Sequence, residues 1–260
     1  LIFPFLLLVL RIQEPEMLKS KAALLISALS LATAGSASAE SFFSGDWYVK
    51  LGGSGFTAPK YQGDNKNELG VSPIIAIGRQ GPSERFSSRN DSAGFGVFDN
   101  GAVNGGLAGK LVMPRDAGDS ADLTGMSKIK LGGEVGAFAN VYPTDWLRVR
   151  GEVRQGIRSH SGLVADVNVD FFTDMAEGLQ FSSGPPATWV SSKYNEKYYG
   201  VTPAQAAAGA PSAYSPSGGL HSAGIGAEVK WKVTPEAEIG SFAEYRRLTG
   251  DAGGSSLVRE

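Results

Sequence analysis

From Ile129 to Tyr142 the chain alternates without a break. Ile129, Leu131, Gly133, Val135, Ala137, Ala139 and Val141 fall on one parity; Lys130, Gly132, Glu134, Gly136, Phe138, Asn140 and Tyr142 fall on the other. A β-strand sends successive side chains to opposite faces, so this spacing predicts a strand with one apolar face and one mixed, charged face. Pro143, Thr144 and Asp145 then supply turn chemistry. The next segment repeats the weave, with Leu147, Val149, Gly151, Val153 and Ile157 against Arg148, Arg150, Glu152, Arg154 and Arg158. A third follows, with Leu163, Ala165, Val167, Val169 and Phe171 against Val164, Asp166, Asn168, Asp170 and Phe172. The pattern returns from Ala223 to Val233 and, after Thr234-Pro235, from Ala237 to Arg246. Weaker candidates are 47–56, 69–79, 93–98, 105–113 and 179–183, which brings the count to ten.

The connections are of two kinds. Those at 143–145, 174–177 and 234–235 are short, while 57–67, 114–127 and 190–218 are long and polar or rich in Gly and Pro. Short turns at one rim and long loops at the other suit an outer-membrane barrel, whose tilted strands need ~9–11 residues to span. Trp47, Trp146 and Trp231 lie near strand ends and suit an aromatic girdle at one interface, although parity puts Trp146 with the arginines. A soluble β-sandwich also alternates, but its strands usually run to ~5–6 residues. Three successive strands of about 11–14 residues favour the barrel. The expected fold is therefore an all-β, antiparallel transmembrane outer-membrane β-barrel of about 10–12 strands when complete.

The N-terminal region reads differently. Residues 1–16 precede the first Met, and their apolar run is too short to span; they read as an over-extended start. Residues 17–39 read as a secretory signal: Met17-Leu18-Lys19-Ser20-Lys21 is basic, 22–34 is apolar, and Ala37 and Ala39 are the small residues a signal peptidase requires. Cleavage after Ala39 makes 40–260 one barrel domain.

Composition narrows the chemistry. The chain has 35 Gly in 260 residues, about twice the usual share, as expected where strands and side chains approach closely. A net charge of -2 argues against nucleic-acid binding, which calls for a basic excess. With no Cys and 2 His, there is no thiolate nucleophile and little scope for a metal site. His160, Ser161 and Asp166 are close in sequence but straddle a tight loop and lack a nucleophile elbow, so no catalytic residue, metal or cofactor is expected. His221 falls on the outward parity and reads as a strand-end residue near the interface. The constellation of most weight is the inward set Lys130, Glu134, Arg148, Arg150, Glu152, Arg154, Asp166 and Asp170. Opposite charges on neighbouring strands can pair across the wall. The set reads as a salt-bridge network filling a narrow lumen or as an ion or solute path. In the loop 190–218, Tyr194, Tyr198 and Tyr199 read as bracing residues.

Several stretches resemble the MipA/OmpV family of outer-membrane proteins of Gram-negative bacteria. They are Trp146-Leu147-Arg148-Val149-Arg150 with Gly162-Leu163-Val164-Ala165-Asp166, then 193–201, then Arg246-Arg247-Leu248-Thr249-Gly250-Asp251-Ala252. The 193–201 stretch, with its run of Tyr194, Asn195, Glu196, Tyr198, Tyr199, Gly200 and Val201, is the most specific. The resemblance spans nearly all of 44–260. It implies a non-enzymatic barrel scaffold in the outer-membrane lipid, bridging a lytic transglycosylase and a bifunctional murein synthase, with a narrow pore or a surface adhesin as the alternative. Relatives continue past the 251–260 loop into a further strand, so a C-terminal strand is expected beyond Glu260.

Overall fold

The computed structural model describes residues 7–12, 47–79, 86–234 and 237–258. The signal segment, including Ala37 and Ala39, lies outside them. Twelve strands form one antiparallel sheet: β1 (Leu7–Ile12), β2 (Trp47–Pro59), β3 (Asn67–Arg79), β4 (Ala93–Asp99), β5 (Val103–Val112), β6 (Gly132–Thr144), β7 (Leu147–Ile157), β8 (Leu163–Ala176), β9 (Leu179–Gly184), β10 (Pro186–Val190), β11 (Gly219–Lys232) and β12 (Ala237–Leu248). Their order is β3-β2-β1-β12-β11-β10-β8-β7-β6-β5-β4, and the end strands β3 and β4 lie side by side, which curls the sheet into a barrel. All ten strands read from the sequence are present.

Two further strands were not read. β9 and β10 both pair with β8 and β11, so they form one wall position broken at Pro185. Proline lacks the N–H a ladder needs and is tolerated at such breaks. β1, within the stretch read as an over-extended start, pairs with β2 on one side and β12 on the other. β1 thus lies between β2 and β12, opposite Val49–Ser54 and Ala237–Gly240.

The exposure of the wall is inverted relative to a soluble protein. On β7, Arg148, Arg150, Glu152 and Arg154 are buried, whereas Val153 and Ile157 are exposed. Leu107, Val135, Phe171, Ile225 and Tyr245 continue the exposed apolar band on neighbouring strands. With 11 to 14 residues, β6, β7, β8 and β11 are long enough to cross a bilayer. A one-residue slip of β7 would move its three inward arginines to the exposed apolar face and leave their carboxylates unpaired inside, so burial fixes the register.

The turns at 100–102, 145–146 and 177–178 define a short-turn rim, at which the paired ends of β11 and β12 also lie. Gly178 holds φ +71 in the two-residue β8–β9 turn, a conformation that favours glycine. Trp146 and Trp231 are exposed at this rim, and Trp47 opens β2 there. Trp146 escapes the arginine parity because it lies in the turn before β7 starts; its ring stacks on outward Phe171 at 6.0 Å.

The opposite rim carries a folded cap. The segments 60–66, 113–131, 191–218 and 249–258 contain a 3-10 turn (Ala121–Leu123) and helices α1 (Ser192–Tyr199), α2 (Pro203–Ala207) and α3 (Gly250–Gly253). α2 begins with a capping box between Thr202 and Gln205. Tyr61, Leu123, Val201 and Leu257 form the cap's small apolar core, with Met126 and Tyr214 against it. Tyr61 donates a hydrogen bond to the Leu257 carbonyl at 2.8 Å, tying the β2–β3 loop to the tail after β12.

Candidate functional site

The barrel interior is the only part of the molecule where the sequence placed a chemical constellation, and it is densely filled. Alternation on β6, β7 and β8 sends the charged parity inward, and the register sets Arg148 opposite Asp170 and Glu152 opposite Asp166. Arg154 donates to Glu134 at 2.7 Å and to Asp166 at 2.7 Å, and also pairs with Glu152. Arg150 donates to Glu152 at 2.6 Å and to Asn140 at 3.3 Å, and its guanidinium lies over the Phe138 ring. Asp166 accepts a further bond from Thr188 on β10 at 2.5 Å. Every inward charge of β7 therefore has an opposite charge in contact, the condition for burying such groups.

A segment outside the wall completes the lattice. β3 ends at the short-turn rim, and β4 begins part-way up the wall, opposite Gly109. Between them, residues 86–92 run inside the barrel. Arg148, 1% exposed, grips Asp91 through two bonds of 2.8 Å and Asp170 through bonds of 2.9 and 2.7 Å. Asn90 donates to Glu244 on β12 at 2.8 Å, the Arg89 amide donates to Glu228 on β11 at 3.2 Å, and Lys230 donates to the Ser87 carbonyl. At the foot, Phe86 stacks on Phe172 at 4.6 Å, with Tyr142 edge-on to Phe172. The segment is thus a plug, fastened to β7, β8, β11 and β12.

Above the lattice, rings close the interior under the cap. In the β7–β8 loop, Arg158 adopts φ +71 and is exposed, while His160 turns inward. His160 Nδ1 accepts the Gly162 amide at 3.2 Å, so Nε2 carries the proton that meets Glu134 at 3.0 Å. A Cβ at Gly156 would fall on the His160 ring, which is why this wall position is glycine. Tyr194 packs edge-on to both His160 and His221 and stacks on Tyr198 at 4.5 Å. His221 lies 3.2 Å from the Tyr199 hydroxyl. Burial raises the phenols of all three tyrosines, Tyr198 to about 12.

Seven of the eight residues expected to face inward lie in this lattice; Lys130 does not. β6 starts only at Gly132, so the alternation before it does not report a strand, and Lys130 is exposed on the cap side. Ile129 likewise is buried in a bridge to Arg115 rather than turned to lipid. Arg158, counted with the β7 arginines, lies past the strand end. His221 is buried, not at the interface: the β10–β11 register shifts between Thr188 and Trp189, and this bulge turns it inward against its parity. His160, Ser161 and Asp166 do not converge, since Ser161 is exposed and Asp166 bonds Arg154 and Thr188. The plug residues Arg89 and Asp91 and the wall pair Glu228 and Lys230 were missed as partners. The available signal was the excess of arginine over carboxylate on the inward face of β7.

The family model described as MltA-interacting protein MipA matches residues 51–260. The chain belongs to that family. No curated protein and no solved structure matches it.

Proposed function

We propose that this member of the MipA family is a non-conducting outer-membrane barrel that serves as a scaffold, holding a lytic transglycosylase and a bifunctional murein synthase at the envelope. The observation that carries this reading is the plug. A path for solutes needs a continuous polar opening, whereas here residues 86–92 bond to β7, β11 and β12 and stack on β8 inside the wall, and the cap lies above. A filled barrel offers the cell its rims and surface rather than its interior. The family's printed name, MltA-interacting protein, supports a murein hydrolase as one partner.

In this reading residues 17–39 direct export, cleavage follows Ala39, and the short-turn rim faces the periplasm, as in bacterial barrels. The paired charges act structurally. Two measurements on the full chain test the scaffold. Reconstituted in planar bilayers it should give no steps of single-channel current, and immobilised in detergent it should retain a purified lytic transglycosylase. Steady conductance would revive the pore, and failure to retain the enzyme would remove the scaffold.

A further inference from the structure

The wall is broken beside β4. β3 and β4 both run from the cap to the short-turn rim, and no ladder joins them among the described residues. β4 begins only at Ala93, opposite Gly109, so Lys110, Leu111 and Val112 pair with β6 alone. Toward the cap, β3 and β5 are therefore separated by one absent strand, a window about 10 Å wide at the usual spacing of neighbouring strands. Its lips are Leu69 and Val71 on β3, and Leu111 on β5 with Met113 just after it. At 76%, 89%, 63% and 66% exposed, these are the four most exposed large apolar side chains among the described residues, because no neighbouring strand shields them.

Cations stand at this window without acids to meet them. Lys110 shares the lumen-facing parity of buried Ala108, yet it is exposed and makes no hydrogen bond or ion pair among the described residues. Glu134, opposite it on β6, is taken by Arg154 and His160. Arg115, two residues past Met113, reaches toward the β2–β3 loop: its guanidinium lies 5.9 Å from the centre of the Tyr61 ring and 5.6 Å from that of Tyr198, and it donates to the Tyr198 carbonyl at 2.9 Å. No carboxylate pairs with it among the described residues. At the cap end of β3, the exposed Lys60 and Lys66 outnumber the exposed Glu68. Lipid tails alone cannot fill the window, because the free edge of 110–112 presents backbone N–H and C=O groups that hydrocarbon leaves unmet. A phosphate can, since its oxygens accept backbone N–H groups and meet ammonium and guanidinium together. We propose that the window binds a phosphate-bearing anionic lipid, its headgroup on Lys110 and Arg115 and its acyl chains against Leu69, Val71, Leu111 and Met113. The proposal rests on the barrel standing in a membrane and is independent of any partner at the rims.

The chain has no Cys, so a single cysteine can carry a fluorescent reporter. The full chain, labelled at Val71→Cys or, on the lipid face of β7, at Val153→Cys, is placed in phosphatidylcholine bilayers containing a minority of brominated phosphatidylglycerol, whose tails quench only a reporter beside them. The Val71→Cys reporter should see phosphatidylglycerol enriched about fivefold over the bulk ratio, the gain expected from one lysine at a membrane surface, and the Val153→Cys reporter should see the bulk ratio. Lys110→Gln should abolish the enrichment and Lys110→Arg should keep it. Excess inorganic phosphate should leave it unchanged; displacement would make free phosphate the ligand and overturn the lipid. Native mass spectrometry of the unaltered chain from mixed micelles decides without any variant, since phosphatidylglycerol should be retained in preference to phosphatidylcholine. Equal quenching at the two reporters, or no preference in the unaltered chain, would overturn the proposal.

Discussion

Arg148→Ala should unfasten the plug. Arg148 makes four charge-assisted bonds of 2.7–2.9 Å to two carboxylates, Asp91 on the plug and Asp170 on β8. Its removal leaves both acids in a nearly water-free interior. Asp91 keeps the Ser88 amide at 2.8 Å and a 3.5 Å approach of Arg150; Asp170 loses its only ion pair among the described residues. Breaking one buried pair typically costs about 3–5 kcal/mol, and two acids are stranded here, so the upper end of that range is expected. Val149→Ala on the same strand should cost far less, because lipid tails replace the lost contacts. The heat-dependent gel shift of the barrel reads the wall, and single-channel recording reads the plug. Arg148→Ala should shift at a markedly lower temperature than Val149→Ala and show intermittent current. Asp91→Asn on that background should recover part of the loss, because the stranded charge is gone. If Arg148→Ala matched Val149→Ala in shift temperature and stayed electrically silent, the ion pair would not be what holds the plug.

Gly156→Ala should destabilise the barrel by about 1–3 kcal/mol, because its Cβ meets the His160 ring, whereas Gly151→Ala on the same strand meets nothing within 4 Å and should leave the shift temperature unchanged. In a spectrophotometric titration, Tyr198 should ionise near pH 12 rather than at its ordinary value of 10.0, and Tyr194 and Tyr199 should also ionise late. Because these phenols are raised on folding, the stability they contribute is intact below pH 10 and lost as pH climbs through 12; a cap that survives unaltered above that range contradicts their burial. Sequencing of the envelope form should begin at Glu40, and a chain retaining Leu7–Ile12 would show that β1 belongs to the working barrel.

The wall was legible because its physics is local. Arginines on one parity and valines on the other permit a single orientation in lipid, and β7 adopts it residue by residue. Lys130 and His221 were misplaced where alternation stops reporting a strand, before the start of β6 in one case and across the β11 bulge in the other. The plug was not legible for a different reason. Phe86-Ser87-Ser88-Arg89-Asn90-Asp91-Ser92 has no period and the composition of a surface loop. Its burial is decided by partners on β7, β11 and β12, and no window of the sequence contains them together. α1 was hidden in the same way, since its tyrosines gain a purpose only against His160 and His221.

The plug also constrains the order of assembly. Strands β5 to β9 are joined mostly by close neighbours in sequence and can zip up as a meander with little loop entropy to overcome. The plug's bonds are of another kind: Asp91 reaches Arg148 across 57 residues, Arg89 reaches Glu228 across 139, and Asn90 reaches Glu244 across 154. The last two form only when the C-terminal strands arrive, yet the segment must already be inside by then, because a closed wall leaves no way to thread it. The meander therefore receives the plug first, through Arg148, and the late strands wrap around it. The seam at which the barrel shuts doubles as a checkpoint, since a chain whose plug is misplaced would bring Glu228 and Glu244 into the lumen with only their strand neighbours Lys230 and Arg246, and without the donors of Arg89 and Asn90.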